Sequence, residues 1–179
     1  MTIELARGPV PSTLDVAVDV RCADWSDALP AVAEICRRAA AAALDCACIA
    51  PDGVEISVVL ADDAFIHDLN RHWRDRDAPT NVLAFPSGDE RDGCGGPWLL
   101  GDVVVAFGTM RREAAAEGKP LDRHLAHLVV HGVLHLLGYD HIADDEAKRM
   151  EGLEIVALDR LGIDDPYGPL PPDARHPLR

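Results

Sequence analysis

The spacing His131-x-x-x-His135-x-x-Gly138-x-x-His141 constrains this chain more than any other feature. Residues four apart on an α-helix share one face, with Cβ atoms roughly 5–6 Å apart, so His131 and His135 make a two-point grip for a metal ion. Gly138 supplies the left-handed backbone that ends a helix and lets the chain reverse, which brings His141 to the same ion. Three imidazole nitrogens and an open fourth position are the donor set of a catalytic zinc site, with one Zn2+ per chain. Neutral ligands leave the ion its full charge, enough to lower the pKa of a bound water toward ~7.

The spacing matches the metzincin protease pattern at every ligand and at the glycine. Those proteases carry Glu directly after the first His as general base, and here that position is Gly132. The cage is present without the protease's base. Two further histidines, His124 and His127, approach the same helix face. Pairing His127 with His131 would also give a spacing of four, but it leaves His135 idle and Gly138 without purpose. His127 is therefore expected to pack beside the ligands or to hold one of them, and Asp140 to hold an imidazole N–H, meet a substrate-side water or cap the turn.

The run His127-Leu-Val-Val-His131-Gly-Val-Leu-His135-Leu-Leu-Gly138-Tyr-Asp-His141 resembles the signature of the YbeY family, metal-dependent endoribonucleases of ribosomal RNA maturation and ribosome quality control. A second block, Leu69-Asn-Arg-His-Trp-Arg74-Asp-Arg-Asp77-Ala-Pro79-Thr80-Asn81-Val-Leu-Ala-Phe85-Pro86, is similar to the family's L-N-x-x-[YF]-R-x-x-D-x-P-T-D-V-L-S-F-P. A third, Leu100-Gly101-Asp102, is similar to its L-G-D strand. The resemblance implies a single-strand-specific endoribonuclease acting at the 3′ end of small-subunit ribosomal RNA. It implies RNA and the ribosome or its proteins as partners. By motif it aligns Arg74 with the family's arginine, so Arg74 is the candidate that faces the scissile phosphate, where a planar fork of donors stabilises gathering charge. A guanidinium at a helix end can instead bond the last carbonyls. Two positions depart from the pattern: Asn81 stands for the usual Asp and Ala84 for the usual Ser.

Charge narrows how RNA could be met. Lys and Arg number 17 against 31 Asp and Glu, a net −14, which excludes broad non-specific binding to a polyanion. Contact must be local, and Arg71 and Arg76 beside the second block, with Arg123 on the metal helix, are the candidate RNA contacts. Two alternative classes carry the same metal spacing: a divergent zinc metallopeptidase, against which Gly132 counts, and a non-catalytic zinc-stabilised ribosome-binding protein.

At 179 residues and 48% hydrophobic content the chain fits one domain with a single core. No apolar run is long enough for a leader or a membrane span, so a cytoplasmic protein with no membrane partner is expected. Five cysteines without ligand spacing read as free thiols. Alternation predicts strands over 14–20, 54–60, 80–85 and 99–106. Helical periodicity and punctuation predict helices over 25–44, capped by Asp24 or Ser26, from Asp62 or Asp63 to 73, over 107–117, from Pro120 or Leu121 through the histidines, and over 144–161. The expected class is α+β: a mixed sheet of about four strands packed with about five helices, the metal helix in the core. Residues 1–12 read as a flexible arm, 13–163 as the zinc endoribonuclease domain, 86–98 as a long loop, and 164–179, with five prolines, as a disordered tail.

Overall fold

The computed structural model describes residues 14–88, 97–141 and 143–168. The 1–12 arm, most of the 86–98 loop and residues 169–179 lie outside them. Ten elements follow in order: β1 (Asp15–Val20), α1 (Ala23–Ala28), α2 (Val32–Cys46), β2 (Val54–Ala61), α3 (Asp63–Arg74), β3 (Val82–Pro86), β4 (Trp98–Ala106), α4 (Phe107–Glu117), α5 (Leu121–Leu136) and α6 (Asp144–Arg160). The protein is α+β, with one four-stranded mixed sheet in the order β1-β2-β4-β3. β1, β2 and β4 run parallel, and β3 closes the edge antiparallel to β4.

Six helices are described where about five were expected, because the predicted 25–44 helix is two. Pro30 has no N–H to give a helix and pushes the residue before it out of the α region. Leu29 accordingly sits at φ −136°, ψ 85°, and the chain restarts at Val32. Neither Asp24 nor Ser26 caps α1: Cys22 holds that place without a side-chain bond. Asp62 does cap α3, accepting the Phe65 N–H at 2.8 Å.

The sheet has a thick face and a thin one. On the thick face α2, α5 and α6 bury the main core, which runs from Trp25 and Leu44 through Val58 and Val103 to Val129, Leu134 and Leu158. On the thin face α3 covers a smaller cluster of Val59, Ile66, Leu83 and Val104, with Leu69 and Phe85 packed against it. Edge strand β3 divides them: Val82 and Ala84 point to the thick face, Leu83 and Phe85 to the thin one.

Two close approaches explain glycines in the recognised blocks. Gly101, at φ +139°, lies under the Phe85 carbonyl, and a Cβ there would stand 2.2 Å from that oxygen. At Gly132 a Cβ would stand 2.6 Å from Val103 Cγ1, so a side chain at this position would strike the sheet. The glycine that occupies the protease's glutamate position is where α5 seats on β4. With that seat, α5 lies deep in the domain: Leu125, Val129, Val130, Val133 and Leu134 are fully buried.

Candidate metal centre

α5 carries His131 and His135 up to its end and the following turn returns His141 to them. Gly138 takes φ +86°, its N–H bonds the His135 carbonyl at 3.0 Å, and the Tyr139 N–H bonds the Leu134 carbonyl at 3.1 Å. Asp140 then accepts the His141 backbone N–H at 2.7 Å, while its nearest oxygen is 3.8 Å from His141 Nδ1. Of the expectations for Asp140, the turn cap is the contact it makes.

The three imidazoles converge. Ring centroids stand 4.5 Å apart for His131 and His135, 5.0 Å for His135 and His141, and 5.6 Å for His131 and His141. One nitrogen from each lies within 4.8 Å of the others. The Nε2 atoms of His131 and His135 are only 3.0 Å apart. Two donors at ~2.0–2.1 Å from a shared ion are separated by about this much, so the nitrogens fit a single ion of zinc's size. Burial, then the neighbouring His131 and His141, pushes the His135 pKa down to about 4, which keeps it the neutral base a metal needs.

The carboxylate behind the ligands was missed by sequence reasoning. Glu154 of α6 is 1% exposed, with its Oε1 2.6 Å from His131 Nδ1 and its Oε2 3.1 Å from His127 Nε2. Tyr167 donates its hydroxyl to the same Oε2. Burial alone would raise the Glu154 pKa, but bonds from His127, His131 and Tyr167 outweigh it and hold the group at about 2. A signal for Glu154 was present: Met150, Glu154, Ala157 and Leu158 form the buried stripe of α6, and an acid on an apolar stripe needs a partner. No signal marked Tyr167, one residue in a proline-rich stretch.

That stretch corrects the boundary expected at 164. Asp164 accepts from Arg123 at 3.0 Å, the Pro166 carbonyl accepts from Lys119 Nζ at 3.1 Å, and Tyr167 reaches Glu154, so residues 164–168 pack on α5 and α6. Polar anchors hold this turn, and apolar periodicity does not register them. Arg123, expected to meet RNA, is engaged by Asp164.

The second block spans α3 and edge strand β3, with Leu69, Leu83 and Phe85 on the thin face and Val82 and Ala84 on the thick one. Arg74 ends α3, exposed, and among the described residues its guanidinium makes no hydrogen bond or ion pair, so the carbonyl-capping role is not the one it plays here. Arg71 is 3.8 Å from Asp68 on the same helix; Arg76 is exposed and its backbone N–H bonds the Asn70 carbonyl. Asn81 uses the amide that distinguishes it from aspartate: Nδ2 donates to Glu113 Oε2 at 2.9 Å and Oδ1 accepts the Val82 N–H at 2.7 Å. Ala84 is half-buried against the main core.

A family profile described as Endoribonuclease YbeY matches residues 21–162. The chain belongs to the YbeY family. A protein named Endoribonuclease YbeY from Paramagnetospirillum magneticum is 55% identical over 160 residues, covering 87% of this chain and 97% of that one. One of the same name from Sinorhizobium medicae is 48% identical over 90% of this chain and 99% of its own, and one from Azorhizobium caulinodans is 53% identical over 86% and 96%. The YbeY match spans both the histidine centre and the Arg74 block. Among the described residues no helix is long and apolar enough to cross a membrane.

Proposed function

We propose that this chain is a metal-dependent endoribonuclease, a hydrolase that cuts single-stranded RNA in ribosomal RNA maturation, at the 3′ end of the small-subunit RNA, and in ribosome quality control. The observation that carries the reading is the convergence of His131, His135 and His141 in a chain of the YbeY family. Those three residues hold one ion, which we take to be zinc because all three donors are imidazole nitrogens. Zinc so held supplies Lewis-acid charge for activating water and for steadying a phosphate oxygen.

The chain's own residues supply the rest. Glu154 orients His131. Arg74, unpartnered among the described residues, is available to grip two non-bridging phosphate oxygens as charge gathers on them. Arg71 and Arg76 add cations beside it, interleaved with Asp68, Asp75 and Asp77, so a chain of net charge −14 would meet RNA there over a narrow contact. Ribosomal RNA and the ribosome are the partners and the cytoplasm is the compartment that this reading implies. Gly132 counts against the metallopeptidase alternative, since it offers no base and a Cβ there would stand 2.6 Å from Val103 Cγ1.

The test is metal content together with cleavage of a single-stranded RNA oligonucleotide, with and without chelator. Chelator-sensitive cleavage of the RNA, with no cleavage of a casein-like peptide, is expected. Metal-replete protein that leaves every RNA intact would refute the proposal.

A further inference from the structure

A carboxylate as buried as Glu154 needs partners, and its partners here form a chain that begins outside the metal centre. An ionised carboxylate accepts hydrogen bonds and donates none, so His131 Nδ1, His127 Nε2 and the Tyr167 hydroxyl must each bring the proton. For His131 that fixes the tautomer. A hydrogen on Nδ1 leaves Nε2, the atom 3.0 Å from His135 Nε2, as the nitrogen turned toward the other histidines. The outer end of the chain is anchored as well. Arg123 holds Asp164, Lys119 holds the Pro166 carbonyl, and the Tyr167 N–H bonds Asp165 Oδ1 at 2.9 Å. The Tyr167 ring meets His127 edge-on, centroids 5.8 Å apart.

We propose that Glu154 and Tyr167 are positioning residues of the metal centre: the turn at 164–168 docks Tyr167 on Glu154, and Glu154 locks His131 in the tautomer that presents Nε2 to the ion. This rests on the reading of His131 as a ligand. Tyr167 fixes the carboxylate's rotation. Its hydroxyl and His127 both use Oε2, which leaves Oε1 directed at His131. A carboxylate behind a ligating imidazole holds the ring in plane with the ion and raises its basicity. The C-terminal turn thereby becomes part of the centre without touching the ion.

Two variants of the full chain test this, Glu154→Gln and Tyr167→Phe, with zinc affinity measured by competition against a chromogenic chelator. Glu154→Gln should weaken affinity about 10–100-fold, and Tyr167→Phe in the same direction by about tenfold at most. A second readout needs no metal. Nitrogen-15 spectra of the metal-free parent should show the His131 ring as a single Nδ1–H tautomer, and Glu154→Gln should turn it into a mixture. A purely structural role would lower the melting temperature of both variants while leaving affinity and tautomer alone, and that result overturns the proposal. If Glu154→Gln fails to fold, Tyr167→Phe decides on affinity. A parent that binds no zinc refutes the ligand reading; a parent that binds it as tightly as both folded variants do refutes the positioning alone.

Discussion

Imidazole ligates zinc and guanidinium does not, so Arg74→Ala should keep its ion and lose turnover. Removing an electrostatic partner of the transition state costs on the order of 10²–10³ in rate, and that is the drop expected in single-turnover cleavage of an RNA oligonucleotide. Arg74→Lys should recover part of it, since an ammonium keeps the charge and loses the planar fork. Parent-like cleavage by Arg74→Ala would send the search for the phosphate contact to Arg71 and Arg76. Gly132 makes a separate case at this scale. Alanine there gains up to about 1 kcal/mol of helix propensity and pays for a Cβ forced onto Val103, an overpacking worth about 1–3 kcal/mol. Net destabilisation by denaturant melting is expected, relieved when Val103→Ala is added; two additive single effects would show that the contact is not the cause. The sequence alone displays Gly132 as a missing base, because a motif records which side chain is absent and not which neighbour excludes it.

At the scale of elements, one helix and its turn carry all three candidate ligands. Alanine at His131, His135 or His141 should abolish stoichiometric zinc binding while α5 stays seated, since buried Val129 and Val133 lie on the opposite side of the helix. Full occupancy by native mass spectrometry in the triple variant would remove the assignment. Ending the chain after Ile163 should lower zinc affinity at least as far as Tyr167→Phe does; unchanged affinity would leave the 164–168 turn without a role in the centre. Periodicity made the four strands and the three long C-terminal helices legible, because each buries one regular face. The break at Pro30 was not read, although the proline signals it, because the alanine-rich run that follows suggests one continuous helix. The 164–168 turn was not, because its anchors are single polar contacts between Arg123 and Asp164, Lys119 and Pro166, and Tyr167 and Glu154, with no period to detect.

For the whole molecule, acid should act through the histidine centre. The His135 pKa drops from 6.5 unfolded to about 4 folded, so between those values the unfolded chain binds a proton the fold refuses, and stability falls as pH falls. Glu154, at about 2 against 4.5, adds a second loss below pH 4.5. Lower pH also relieves a net charge of −14, an opposing effect, so the informative quantity is the difference in melting temperature between metal-free parent and His135→Gln from pH 7 to 4. That difference should shrink as the pH drops. A constant gap would mean that His135 is not the group being protonated.

The compactness of the ligand set in the chain, from residue 131 to 141, also bears on when the ion can arrive. Cross-linking so short a loop removes little chain entropy, and the parallel pairings of β1, β2 and β4 must be won across far longer separations without help from it. On the proposed function, metal capture is thus uncoupled from the slow steps of folding: the chain can complete its sheet before meeting its ion or after it, and metal-depleted protein should still fold.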